Sequence, residues 1–417
     1  MNIFKKTSIV LSLILLLSFP SCGNPDSQKP CDAVDGTDYG VSVRNSGEEN
    51  SRNLQKLIDR LSNKGGTIYL PAGEYTFAQN GTQTIGSHCI KMKSNVNLIG
   101  DGETTVLKPK GNSYYGLDMF YFNDYLDLGN ANYLENCRFE DFTIDASATS
   151  CDVYTSAGKG FMFNLFRNCH WENVTVKNTD ATGFGVDCPF ASSITNCTAI
   201  NCGKAASEQN GGASGFGIGF GYADGENMRI TNCQSLGNKK FGFFFEHQGR
   251  FNSNKYTATA LHNFVVSDCN ATENLYNFGG IYAMNTVYQN CRSQNAKLYG
   301  YYFENSLQSK AQTCTSKNET DTSFVISQSN GYGVSNVVYE HCNGANSPYG
   351  VKVMSDGTAT MADNLIKGCT FESVGLYTVH TLGIMQSLTL TENTSDRPFN
   401  DFTAEIERFE NRKNSWN

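Results

Sequence analysis

The chain has 417 residues, a formal net charge of −8, 40 glycines against 8 prolines, and 15 cysteines. The acidic balance argues against a nucleic-acid partner, and no Cys-x-x-Cys pair or His/Cys cluster points to zinc. The length is large for one ordinary core but suits a single domain that grows by stacking.

Residues 1–21 read as a secretion leader. Lys5 and Lys6 precede an apolar run from Ile9 to Phe19 that is too short to span a membrane. Cys22 follows a small residue at the cleavage point, an arrangement that resembles the lipidation site of bacterial lipoproteins. That resemblance implies an exported protein of the outer membrane, cell surface or periplasm, touching the membrane only through a lipid on Cys22. Plain cleavage beside an incidental cysteine is the alternative. A polar tether (22–34) follows, then one domain (35–395) and a charged C-terminal cap or tail (396–417). Within that tail, DFTAEIERFENRK has the composition of a short helix.

The domain opens with "DGTDYG" (35–40) and a helix. Ser51 is a candidate cap, Leu54, Leu57, Ile58 and Leu61 fall at helical spacing, and Lys64-Gly65-Gly66 ends the run. "GGTIYLPAGEYTF" (65–77) reads as strand, turn, strand. "IKMKSNVNLIGDGETTVLKP" (90–109) gives further strands around a turn at Gly100-Asp101-Gly102.

From residue 136 the sequence repeats. Cysteine recurs at 137, 169, 197, 233, 269, 291, 314, 342 and 369, in the contexts LENC, FRNC, ITNC, ITNC, VSDC, YQNC, AQTC, YEHC and IKGC. The shortest spacings, Cys269 to Cys291 to Cys314, are 22 and 23 residues, a solenoid period. A second column reads GFGVD (183–187), GFGIG (215–219), GFFFE (242–246), GIYAM (280–284), GYYFE (300–304), SFVIS (323–327), GVKVM (350–354) and LYTVH (376–380). Its second and fourth positions are apolar and should face inward, because strands alternate faces. Rungs of this kind, chained in one direction, predict an all-β, right-handed parallel β-helix with cysteine and asparagine ladders in its core. The cysteines then serve as small buried apolar groups. Cys31, Cys89, Cys151, Cys188 and Cys202 lie off the column, where spacing assigns no bridge.

The order of an amphipathic helix, "GGTIYLPAGEY" and "NVNLIGDG…TVL" resembles the N-terminal entry of the pectate-lyase-like β-helix superfamily, closely over 35–110 and through the rung pattern over 111–395. Independently of that likeness, a helix at an open solenoid end shields the core. The resemblance implies an enzyme of acidic polysaccharides, although phage spikes and adhesins share the fold. Style similar to β-helical lyases points to a polysaccharide lyase of glycosaminoglycans such as chondroitin, dermatan or hyaluronan, ahead of alginate or pectin. An epimerase, a glycoside hydrolase and a non-catalytic carbohydrate-binding β-helix are the alternatives.

β-Elimination needs a group that neutralises the uronate carboxylate, a base and an acid. Outward strand positions and the long insertion 246–263 supply candidates. His247 is assigned as base or acid, with Tyr282 or Tyr256 as partner, and Arg250 or Lys255 as carboxylate binders. Glu246, Asn285, Tyr302, Glu304, Asn305 and Asp187 complete a substrate-binding face. "GFGVDCP" loosely resembles the YGFDPH-type motif of mannuronan epimerases, with Asp187 at its Asp, but Phe184 stands at the Tyr position and Pro189 at the His. "NTD" (178–180) has no paired Asp on following rungs, which lowers a two-carboxylate hydrolase. No cofactor or metal is expected, calcium being compatible but not required. The chain is expected to be a monomer acting on an acidic polysaccharide.

Overall fold

A computed structural model describes residues 29–79, 87–112, 116–123, 132–151, 158–206, 213–248, 262–397 and 404–416. The chain winds into a right-handed parallel β-helix. A 12-stranded parallel sheet runs up one side from His88–Lys91 to Tyr377–Leu382. A 25-stranded sheet carries the strands on either side of each cysteine turn.

The register of the 12-stranded sheet is set by its inward apolar column. Phe161, Phe184, Phe216, Phe243, Phe278, Tyr301 and Phe324 are successive partners. From Phe184 to Tyr301 their rings stack at 4.7–5.1 Å with interplanar angles of 3–7°. Each such contact adds about 0.5–1.5 kcal/mol beyond burial.

This column corrects one predicted pentad. In the rung expected at GIYAM (280–284), Phe278 and Gly280 fill the inward positions opposite Phe243 and Phe245, not Ile281 and Ala283. The glycine-aromatic pattern slips there because Gly279 and Gly280 both resemble its leading glycine. At the last rung, His380 pairs with Lys352 and Leu382 with Met354, a two-residue shift from the expected alignment.

All nine ladder cysteines are fully buried. The residue before each is left-handed: Asn136, Asn168, Asn196, Asn232, Asp268, Asn290, Thr313 and His341 have φ of 50–58°, and Gly368 has 61°. The preference for Asn follows, since Asn tolerates this conformation better than other side chains. These asparagines face solvent rather than the core, a correction to the expected internal ladder. Their amides bridge rungs outside, Asn168 to Asn136 and Asn232 to Asn196, both at 2.7 Å. A separate internal amide ladder is built by Asn238, Asn274 and Asn277, all fully buried. Cys89, Cys151, Cys188 and Cys202 are free thiols.

Helix α1 (Gly47–Leu61) packs Leu54, Leu57 and Ile58 over the N-terminal end of the stack. Its cap is Ser46, whose hydroxyl accepts from Glu49 N–H at 3.2 Å. Ser51 lies inside the helix and binds Ala78 N–H instead. Ser46-x-x-Glu49 is the spacing of a capping box, a signal stronger than Ser51. At the other end, Glu405–Arg412 forms a strand parallel to Ile384–Thr391, not a helix.

Thr313 is the one β-branched residue at the left-handed corner, a conformation that costs a non-glycine residue about 1–2 kcal/mol. Thr313→Asn is therefore expected to raise the urea midpoint, and Asn232→Val to lower it; no change in either variant would remove the corner from the account.

Candidate functional site

The outward side chains of the 12-stranded sheet line up in two columns. One runs Met162, Gly185, Gly217, Phe244, Gly279, Tyr302, Val325, Lys352, His380. The other runs Asn164, Asp187, Gly219, Glu246, Ile281, Glu304, Ser327, Met354, Leu382. Gly185, Gly217 and Gly219 thus sit together, Gly217 partly exposed and the other two covered by the side chains around them. Glycine inside a strand commonly marks close approach of a ligand. Here it forms the floor of a trough, with Met162 and Asn164 on one side and Phe244 and Glu246 on the other.

Asp187 lies on this floor. Its Oδ1 accepts the Gly219 N–H at 2.7 Å, and its Oδ2 accepts the Asn164 amide at 3.1 Å. A Cβ at Gly219 would come within 2.4 Å of that Oδ1, and within 2.8 Å of Gln248 Cγ. The Lys159 side chain crosses Gly185, where a Cβ would meet its Cδ at 2.6 Å and its Nζ at 3.3 Å. Burial pushes the Asp187 carboxyl above its usual range, with Lys159 and the Gly219 N–H opposing. Asp118, which accepts the Lys159 backbone N–H at 2.7 Å, is pushed up to about 7 by burial.

Glu246 is two rungs from Asp187, about 10 Å along the stack, with Gly219 between them. Gln248 donates to Glu246 at 3.0 Å. Two rungs further, Glu304 accepts from Tyr302 Oη at 2.9 Å and from Ser329 Oγ at 2.7 Å. Burial holds Lys240 below the usual lysine range, while Glu304 and Glu246 pull the other way.

Asp187, Glu246, Tyr302 and Glu304 therefore share one face, as the repeat implied. His247 does not: it is fully buried, with its ring 5.2 Å from Phe220 and 6.1 Å from His262. The reason is the alternation of the strand itself. If Glu246 points out, its neighbour points in. Asn305 is also buried, accepting the Ser329 N–H at 2.8 Å to tie two rungs together. Tyr282 lies past its strand at φ 58°, edge-on to Tyr332 at 4.6 Å. Asn285 occupies a corner, its carbonyl accepting from Phe264 N–H. Arg250, Lys255, Tyr256 and Cys22 lie outside the described residues.

Sequence reasoning missed Lys159, Asn164, Lys240 and Gln248. The pentad GFMFN (160–164) carried the signal for one of them, being one earlier copy of GFGVD with Asn164 in the place of Asp187. Among the described residues, no three His, Cys, Asp or Glu side chains are grouped so as to hold a metal ion, and no helix is long and apolar enough to cross a membrane.

A family model described as "Rhamnogalacturonase A/epimerase, pectate lyase-like" matches residues 34–292. Among solved structures, the mannuronan C-5 epimerase A-module of Azotobacter vinelandii is similar at TM-score 0.67 and 17% identity, covering 92% of this chain and 99% of that one. The Agl-KA catalytic domain matches at TM-score 0.61 and 14% identity, covering 93% and 69%. A tailspike mutant of E. coli bacteriophage HK620 in complex with a pentasaccharide matches at 0.58 and 15%, covering 92% and 66%. Identities this low establish the shared fold alone. A comparison with curated proteins finds no match.

Two variants test this geometry. His247→Ala is expected to lower the unfolding midpoint by the equivalent of about 3–5 kcal/mol, as for a large buried ring; full stability with lost carbohydrate turnover would return His247 to the surface. Gly217→Phe should keep the fold and abolish oligosaccharide binding in calorimetry, since it fills the trough from the solvent side.

Proposed function

The chain belongs to the rhamnogalacturonase A/epimerase, pectate lyase-like family, and from that premise we propose that it cleaves a uronic-acid-containing polysaccharide by hydrolysis in the glycine-floored trough. The observation that carries the reading is the pair Asp187 and Glu246, two carboxyls on one face, two rungs apart, with Gly219 in the row between them.

Glycoside hydrolysis needs one protonated acid and one carboxylate. Asp187 is the acid, because burial favours its neutral form. It gives its proton to the glycosidic oxygen as the bond to the anomeric carbon breaks. Glu246 takes a proton from the water that attacks that carbon. Separations of about 6.5–9.5 Å between carboxyls leave room for this water and invert the anomer, whereas about 5 Å gives retention. Side chains rising from strands about 10 Å apart are nearer the inverting range than the retaining one. Lys159, whose ammonium lies beside Asp187 over Gly185, supplies the charge that a sugar carboxylate needs.

A second reading has its own support. A lysine held below its usual range, Lys240, faces Glu246 and Glu304. Such an amine suits removal of the proton at carbon five of a uronate. The C4–oxygen bond then breaks, a C4–C5 double bond forms, and the leaving oxygen takes a proton. This is lyase chemistry, for which glycosaminoglycans are the favoured substrates. In either reading the polymer is extracellular, which fits export through residues 1–21 and anchoring at Cys22.

Incubation with a panel of uronic-acid polymers separates the readings. New reducing ends without ultraviolet absorbance identify hydrolysis, and an absorbing unsaturated uronate end identifies elimination. For hydrolysis, Asp187→Asn and Glu246→Gln should each lose about 10²–10⁴-fold in kcat, the usual weight of acid–base catalysis. Lys240→Met should match that loss only if elimination is correct. Rates should fall as pH rises through the Asp187 pKa, since the acid is then deprotonated. Lys159→Met removes the cation that opposes this raised value, so the alkaline limb should move to higher pH; a downward shift would contradict the assignment of Asp187 as acid.

A further inference from the structure

We propose that two copies of this chain join tail to tail through the strand Glu405–Arg412, extending the 25-stranded sheet across a twofold axis. The N-terminal end of the stack is covered by helix α1. At the C-terminal end, Glu405–Arg412 pairs with Ile384–Thr391 along one edge. Among the described residues no strand pairs its other edge. Among the described residues seven large hydrophobic side chains are exposed, and four of them, Leu376, Leu382, Ile384 and Phe409, belong to the last two rungs. Apolar surface is therefore gathered at this end.

An unpaired edge invites another strand, and charges on it normally discourage that. Here their order selects one partner. The segment reads Glu405, Ile406, Glu407, Arg408, Phe409, Glu410, Asn411, Arg412, Lys413. Turned round and laid beside itself with Phe409 opposite Phe409, it sets Arg408 against Glu410 twice. No like charges face each other. The neighbouring twofold registers instead set Arg408 opposite Arg408 or Glu410 opposite Glu410. The pattern thus favours an identical antiparallel strand in this register over its immediate neighbours, the self-complementary arrangement of a twofold interface.

The pairs formed within one copy do not compete strongly. Arg408 reaches Asp363 at 3.7 Å and Arg412 reaches Glu410 at 3.4 Å, with all four side chains more than half exposed. Exposed pairs contribute little. The monomer expected from sequence had no information about which strand would end the stack. The inference does not depend on the catalytic reading, because the trough lies in the other sheet.

Sedimentation of the purified protein tests it. The wild-type chain should run as a dimer at micromolar concentration. Arg408→Glu and Glu410→Arg, each alone, place two like-charged pairs at the junction. Each should weaken dimerisation about tenfold or more. An equimolar mixture of the two variants should recover dimers. In the mixed dimer the introduced glutamate of one copy meets the introduced arginine of the other, and the remaining native Glu410 meets the remaining native Arg408. A monomeric wild type, single variants that remain dimers, or a mixture that stays monomeric with unchanged circular dichroism would each overturn the proposal.

Discussion

Nine rungs turn at a residue held in the left-handed conformation immediately before a buried cysteine, and the rest of the molecule depends on that corner. A fixed corner makes successive rungs the same shape, so their strands stack parallel and in register. Cysteine suits the inner side, being small and able to donate weakly to backbone carbonyls, as Cys233 does to Thr231 O at 3.3 Å. Asparagine suits the outer side because it tolerates the backbone and bonds its counterpart one rung away. The phenylalanine column locks the neighbouring sheet into the same register.

Register of this kind turns a sequence repeat into a surface. Once the inward column is fixed, residues far apart in sequence share an outward row at the strand spacing. The trough appears where that row loses its side chains, at Gly185, Gly217 and Gly219. Glycine serves two ends there. It makes room for the Lys159 side chain over Gly185, and it lets the Asp187 carboxyl reach the Gly219 N–H. Burial favours the neutral acid while Lys159 restrains that tendency, which in the proposed reading keeps one carboxyl as a proton donor beside a cation that would attract an acidic polymer.

The fold was legible because its determinants are local and repeated: alternation within a pentad, cysteine at a fixed place, asparagine at most of the corners before it. The site was legible only in part. Asp187, Glu246 and Glu304 follow from strand alternation, and the same rule excludes His247, which chemical appeal alone had favoured. The slip at GIYAM came from two adjacent glycines, where pattern matching has no means to choose and ring stacking of Phe278 on Phe243 and Tyr301 does. Lys159 reaches the trough across a glycine of the next rung, a relation that spacing does not encode. The C-terminal strand, exposed along nearly all its length, carries no apolar alternation and so read as a tail.

The central claim is that catalysis occurs on the glycine floor between Asp187 and Glu246. A crystal structure of the Asp187→Asn variant with a bound uronic-acid oligosaccharide tests it most directly. The account predicts a glycosidic oxygen within hydrogen-bond distance of residue 187, a sugar ring resting on Gly217, and an ordered water between that ring and Glu246. An oligosaccharide seated on the 25-stranded sheet, or on the 12-stranded sheet away from Asp187, would contradict it.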